Sequence, residues 1–417
     1  MLVVTANWAF TDGTVAAAAG RARAARGWLR DVRLAAIRAG FGRDGRYRPP
    51  AHIDIVLAGD TFDCLASTGW RGGDRPWRGG ARAAGTGRRV LLGCARHAAP
   101  WLAGLARFAR AGLAVPAADR RGRPAPAAVA RVPVRVALLA GDRDRQVAEA
   151  AAWITARGAT VAPAWSDGSV LVRHGHEFDP ACHVAHAETR ERPPTLAESV
   201  TIDLVTAFAS RLADSGVQPR ATAPLVEALV AAGRSAGPAA LAAWSTAAGP
   251  ATALGDATRR HVEATWARAV EAWLRVARRE PPDCGTTASP LESLAAWFCA
   301  AAAAPPPALA PLFDTRPPVA AAATGPGRGV VFGHPASSRD AATVCLGRPA
   351  PGGRKPVAVV RAAVAADVAC VVAAPAAGPA TVTCRSAGDR LEWHWPGGDG
   401  LSEAEPGTAP ALVVDAA

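Results

Sequence analysis

Lysine is all but missing from this 417-residue chain: Lys355 is the only one among 47 basic side chains. Alanine, glycine and proline are abundant instead, and that skew reads as a coding bias, so the formal charge of +12 is weak support for a nucleic-acid partner. The arginines are scattered, in short groups such as Arg120-Arg121 and Arg278-Arg279, with no long basic run. No specific nucleic acid is therefore expected. The eight cysteines contain no CxxC pair, which argues against a compact thiolate metal site and suits reduced thiols in a cytoplasm. Also lacking are a basic leader before Leu2-Val3-Val4 and an apolar run long enough to span a bilayer, since the Ala-rich 299–310 is broken by prolines. These absences predict a cytoplasmic chain with no signal peptide and no transmembrane segment. Its length suffices for one large α/β domain with an insertion, or for two domains.

What is present centres on His52-Ile-Asp-Ile-Val-Leu-Ala-Gly-Asp60-Thr-Phe-Asp63. A buried strand is predicted here, closed by Gly59, with Asp60 presented at the strand's carboxyl end, where open α/β sheets place their chemistry. The design recurs in the strand Val132–Leu139 followed by Gly141-Asp142-Arg143-Asp144, so Asp60 and Asp142 should stand side by side at one rim. Ser166-Asp167-Gly168 is a hairpin turn leading to His174-Gly-His176-Glu-Phe-Asp179, and a later apolar run ends in Gly333-His334.

Around these, Leu2–Thr5 reads as a first strand and Thr11–Gly40 as a long helix. Residues 69–87 read as a surface loop, Arg89–Ala111 as a helix, and Gln146–Arg157 as another, before a short strand near Thr160. From Val184 to Ala310 helical periodicity takes over, with Leu196, Val200, Leu204, Phe208 and Leu212, then Val262, Trp266, Val270 and Trp273. Roughly four to six helices are expected there. Short strands return at 330–332, 342–346, 357–372, 381–385 and 391–395. The implied divisions are 1–183, a helical insertion or lid at 184–324, and 325–417.

Asp60, Asp142, His174 and His334 each follow an apolar strand and each adjoin a glycine. Carboxylate oxygens with imidazole nitrogens suit one divalent transition metal, Mn, Fe or Zn. Asp63 and Asp144 read as carboxylates that cap or support.

The order of these motifs resembles the calcineurin-like metallophosphoesterase family, whose pattern runs Asp-x-His, Gly-Asp-x-x-Asp, Gly-Asn-His-Asp, a lone His and Gly-His-x-His. The resemblance covers about 1–180 and 325–350, and Arg143 looks like the arginine of the UDP-2,3-diacylglucosamine hydrolase branch. It implies a four-layer α/β/β/α sandwich with a helical insertion, and a phosphorylated small-molecule or lipid-like substrate. The Asp-x-His slots hold Ala6 and Trp8 here, and the last His slot holds Ala336. The resemblance thus implies that one ion's private ligands are gone, while Asp60, Asp142, His174 and His334 hold the other.

A hydrolase of phosphoester or pyrophosphate bonds with one ion follows, in which Arg143 orients a phosphoryl group and His176 or Asp179 serves as base. His176 alternatively hydrogen-bonds a backbone carbonyl or Asp179. Trp8 either plugs the lost ion's cavity or is a packing tryptophan. Losing one preorganised stabiliser costs ~3–4 kcal/mol, or roughly 10²–10³ in rate. The alternative is a catalytically inactive pseudo-phosphoesterase serving as a binding or scaffold module.

Overall fold

Leu2–Thr5 (β1) and Ile53–Ala58 (β2) are buried at every position, as parallel strands covered on both faces require. In the computed structural model they open a mixed α/β fold with a parallel sheet and several helices. The structure describes residues 1–15, 19–42, 44–166, 170–179, 181–182, 191–217, 219–235, 254–284, 291–300 and 309, and seven short strands beyond them.

The strands continue as a hairpin, β3 Leu113–Ala118 and β4 Pro124–Val132, then β5 Val134–Leu139, β6 Ala159–Ala162, β7 Ala164–Ser166 and β8 Val170–Arg173. After the helices come β9 Gly329–Phe332, β10 Val344–Leu346, β11 Ala358–Arg361, β12 Cys370–Ala374, β13 Thr381–Arg385, β14 Arg390–His394 and β15 Val414–Asp415. One sheet has the order β15-β14-β13-β12-β1-β2-β5-β6, with β1, β2, β5 and β6 parallel and the β12 side antiparallel. The second has the order β10-β11-β9-β8-β7. In it β8 and β9 are parallel with Arg173 opposite Phe332.

Several predicted elements change shape. The first helix, α1, is described over Ala19–Ala39, and Asp12 lies ahead of it, accepting from Thr14 and from the Ser67 hydroxyl. The supposed loop 69–87 is a 3-10 turn, Thr68–Gly72, followed by α2, Gly80–His97. Trp70 and Trp77 are buried there and draw the Gly/Arg-rich stretch inward. The helix read over 89–111 breaks at Ala98, with Pro100 in the first turn of α3, Ala99–Ala111, where its missing N–H costs nothing. The β3–β4 hairpin was not legible, because its strands are Ala- and Pro-rich and lack β-branched alternation. Gln146–Arg157 forms only a 3-10 turn and the short helix Ala151–Thr155, since Gln146 and Val147 are pulled into the core. The run 357–372 divides into β11 and β12.

Two apolar cores result. The first lies under the parallel sheet and includes Val3, Ile55, Leu57, Phe62 and Leu138. Trp8 belongs to it: its ring lies 4.7 Å from Trp101, 5.6 Å from Trp28 and 5.9 Å from Phe10. The second core joins the helices Leu196–Ser199, Ala207–Asp214, Pro219–Ser235, Asp256–Arg279 and Leu291–Cys299, with a π-helical stretch, Val200–Thr206, between the first two. Trp266 and Trp273 are packed here, donating to the Phe298 carbonyl and the Ser199 hydroxyl at 2.8 and 3.0 Å. Among the described residues, no helix is long and apolar enough to cross a membrane.

Trp8→Ala should destabilise the protein by about 3–5 kcal/mol in urea unfolding, the cost of emptying a large aromatic site. A loss under about 1 kcal/mol would show that this ring is not a core element.

Candidate metal centre

Parallel pairing sets β2 against β5 with Ala58 opposite Leu139, so Gly59-Asp60 and Gly141-Asp142 emerge at the same rim. Glycine is required on both sides. Gly59 has φ +93, and a Cβ there would meet the His174 ring at 2.4 Å. A Cβ on Gly141 would fall 2.0 Å from Asp60 Oδ1 and 2.6 Å from the Asp60 backbone nitrogen. Asp60 itself is held at φ +50, with Asn7 at +59 and Ala9 at +45 on the neighbouring chain. Left-handed backbone at non-glycine residues costs on the order of 1–3 kcal/mol each and persists only where surrounding structure enforces it. Here the enforcement is a ladder, Asn7 N–H to Gly59 O at 3.2 Å and Ala9 N–H to Asp60 O at 2.8 Å. The strain therefore gathers at the rim that carries the acids.

His174 follows β8 and is 2% exposed. Its ring is wedged between two carboxylates: Nε2 lies 3.5 Å from Asp60 Oδ2, and Nδ1 lies 3.6 Å from Asp142 Oδ1. Gly175, at φ +96, turns the chain so that His176 comes back, and the two Nδ1 atoms stand 3.2 Å apart. Asp142, His174 and His176 thus present one donor atom each, all within 4.8 Å of one another. A tetrahedral site with bonds of about 2.1 Å has edges of about 3.4 Å, so the 3.2 and 3.6 Å separations fit two of its edges. This buried Asp/His group could hold a metal ion.

The group differs from the set expected from sequence. His176 enters it, while Asp60 stands at the other nitrogen of His174, where a carboxylate orients a metal-bound imidazole and raises its basicity. His334 lies outside the described residues. Cys182, not singled out by any motif, donates its thiol to Asp142 Oδ2 at 3.4 Å. Asp179 is buried and accepts from the Ala181 N–H at 2.9 Å, fixing the turn between His176 and Cys182.

Arg143 is buried beside this group. Its backbone N–H donates to Asp60 Oδ1 at 3.0 Å, and its Nε and Nη2 lie 3.0 and 2.9 Å from Asp63 Oδ1. Arg234, from the helix Pro219–Ser235, donates through Nε to Asp63 Oδ2 at 2.6 Å. No local motif marks Arg234, which comes from the segment read as an insertion. Burial alone would raise the Asp63 carboxyl, but the charges of Arg143 and then Arg234 outweigh it and hold it below its ordinary value. Asp144 goes the other way: burial pushes it up to about 7, partly offset by the N–H donors of Gly141 at 2.6 Å and Phe62 at 3.1 Å. It ties the ends of β2 and β5 together.

Asp63→Asn leaves two guanidinium groups facing a neutral amide and should destabilise the protein by roughly 3–5 kcal/mol at neutral pH. Because the folded carboxyl titrates below its unfolded value, its contribution is complete above about pH 4 and is lost as pH falls through the folded value. Urea unfolding should therefore show wild type and variant converging in acid; a gap independent of pH would contradict the pairing. No protein-family model, curated protein or solved structure matches this chain.

Proposed function

We propose that this protein is a metal-dependent hydrolase of phosphoester or pyrophosphate bonds, built on a calcineurin-like sandwich and working with one divalent transition metal, Mn, Fe or Zn. The observation that carries the reading is the convergence of Asp142, His174 and His176 at the carboxyl rim of the parallel sheet. Two further features support it. Residues of β2 approach β8 and those of β5 approach β7, as two stacked sheets would. Also, the slots of the absent second ion hold buried Ala6 and Trp8, so a single ion is the natural complement.

In this reading Asp142, His174 and His176 would hold the ion and Asp60 would orient His174, with His334 expected from sequence alone as a further ligand. A bound divalent ion supplies Lewis acidity toward a phosphoryl oxygen and lowers the pKa of water. The chain supplies the rest. Arg143 is fixed beside the group by Asp63 and offsets charge gathering on the phosphoryl oxygens. Asp179 locks the turn that carries His176, and His176 keeps 19% of its side chain open to solvent, the direction from which a substrate would arrive. The substrate class is a phosphorylated small molecule or lipid-like compound. Cys64, Cys94, Cys182, Cys284 and Cys299 are free thiols, which supports a reducing, cytoplasmic setting. The second reading, an inactive scaffold, is favoured by the sealing of Trp8 into the aromatic core.

Purified protein should carry about one Mn, Fe or Zn per chain by elemental analysis and hydrolyse an aryl phosphate or phosphodiester with Mn added. His174→Ala should abolish both properties. Asp60→Asn should retain the ion but bind it about 10–100-fold more weakly, as expected of a group acting through the imidazole. Protein that cannot be loaded with any of these ions would favour the scaffold.

A further inference from the structure

Asp63 is a single buried carboxylate shared by two guanidinium groups, the buried Arg143 at the rim and the partly exposed Arg234 from the helices. Those three charges sum to +1, and beyond Asp63 the carboxylates within electrostatic reach of Arg143 are those of Asp142 and Asp60. Burial, opposed by Asp63 and reinforced by Arg143, draws the Arg234 guanidinium below its ordinary range. Asp60 is within electrostatic reach of both arginines, but its oxygens face the Arg143 N–H and His174.

Donors are left over. Arg234 commits only Nε, and among the described residues its two terminal nitrogens make no hydrogen bond. Arg143 commits Nε and Nη2 to Asp63, while Nη1 is 3.5 Å from the Thr201 hydroxyl, the outer limit of a hydrogen bond. The side chain of Arg234 is 13% exposed against 5% for Arg143, so the site is narrow but not sealed.

We propose that Arg143 and Arg234 form a subsite for a phosphoryl oxyanion beside the Asp142–His174–His176 group, with Asp63 holding the two guanidinium forks in place. Terminal N–H pairs on a planar fork match phosphoryl oxygens bidentately, which an ammonium cannot do. The subsite also gives the helices a part in function, since Arg234 reaches Asp63 across 171 positions of sequence. The choice of phosphate as the anion rests on the hydrolase reading above; the existence of an anion subsite does not.

The competing role is an ion-pair staple that merely joins the helices to the sheet. Titration of inorganic phosphate into the Mn-treated full-length protein separates the two, with metal content measured on the same samples. Wild type should bind phosphate in the millimolar range or tighter. Arg234→Met should weaken it about tenfold or more, the size of one charge-assisted hydrogen bond, and Arg234→Lys should recover only part of the loss. If Arg234→Met does not fold by circular dichroism, the lysine variant, which keeps the charge but loses the fork, decides. An affinity within about twofold of wild type in a folded variant overturns the proposal, as does absence of phosphate binding in wild type. Phosphate binding that depends on Arg234 in protein that takes up no ion would uphold the subsite and end the one-ion hydrolase reading. Ion uptake without phosphate binding would do the reverse.

Discussion

An imidazole wedged between two carboxylates is the arrangement on which the rest of this structure turns. His174 meets Asp60 on one side and Asp142 on the other, and neither contact is possible unless β2, β5 and β8 all end at the same place. The parallel register of β2 and β5 secures the first condition. Glycine secures the second, since a single methyl at Gly59 or Gly141 would occupy space already taken by the His174 ring or the Asp60 carboxylate. The left-handed backbone of Asp60 is the energetic mark of that convergence.

Around the wedge the charges are sorted into two groups with opposite needs. Asp142, His174 and His176 gather ligand atoms that could hold a cation. Arg143 and Arg234 gather N–H donors around the accepting carboxylate of Asp63, the arrangement proposed above to take an anion. The two share a wall, because the Arg143 N–H is hydrogen-bonded to Asp60. A phosphoryl group beside a divalent ion needs both kinds of neighbour, and the low dielectric of a buried rim makes each of them count for more than it would in water. Asp144, pushed up to about 7 by burial, adds a backbone tie to this wall without necessarily adding a full negative charge.

The helices contribute more than a cover. Their apolar face is closed by Leu204, Phe208, Trp266, Trp273 and Phe298, so those tryptophans are occupied with packing. What the helices send toward the sheet is a charged side chain, Arg234, on a helix otherwise anchored in the second core by Leu225 and Leu229. Rigid packing behind a projecting guanidinium is what turns a long flexible side chain into a positioned one.

Much of the rim was legible along the chain. The apolar runs Ile53–Ala58 and Val134–Leu139 each lead to a glycine and an acid, so two neighbouring strand ends and the shared rim of Asp60 and Asp142 could be read from residue order. Where alanine and arginine dominate, local pattern carries little information. That is why the β3–β4 hairpin is not legible, why Gly80–Gly87, the first half of α2, reads as loop, and why helix ends differ by several residues. Residue types and their spacing determined which groups are available for chemistry. Which nitrogen of His174 faces which acid, the return of His176 to the group, and the arrival of Arg234 at Asp63 were decided only by tertiary packing, because ring orientation and contacts across 171 positions depend on how whole elements pack and leave no trace in a local pattern.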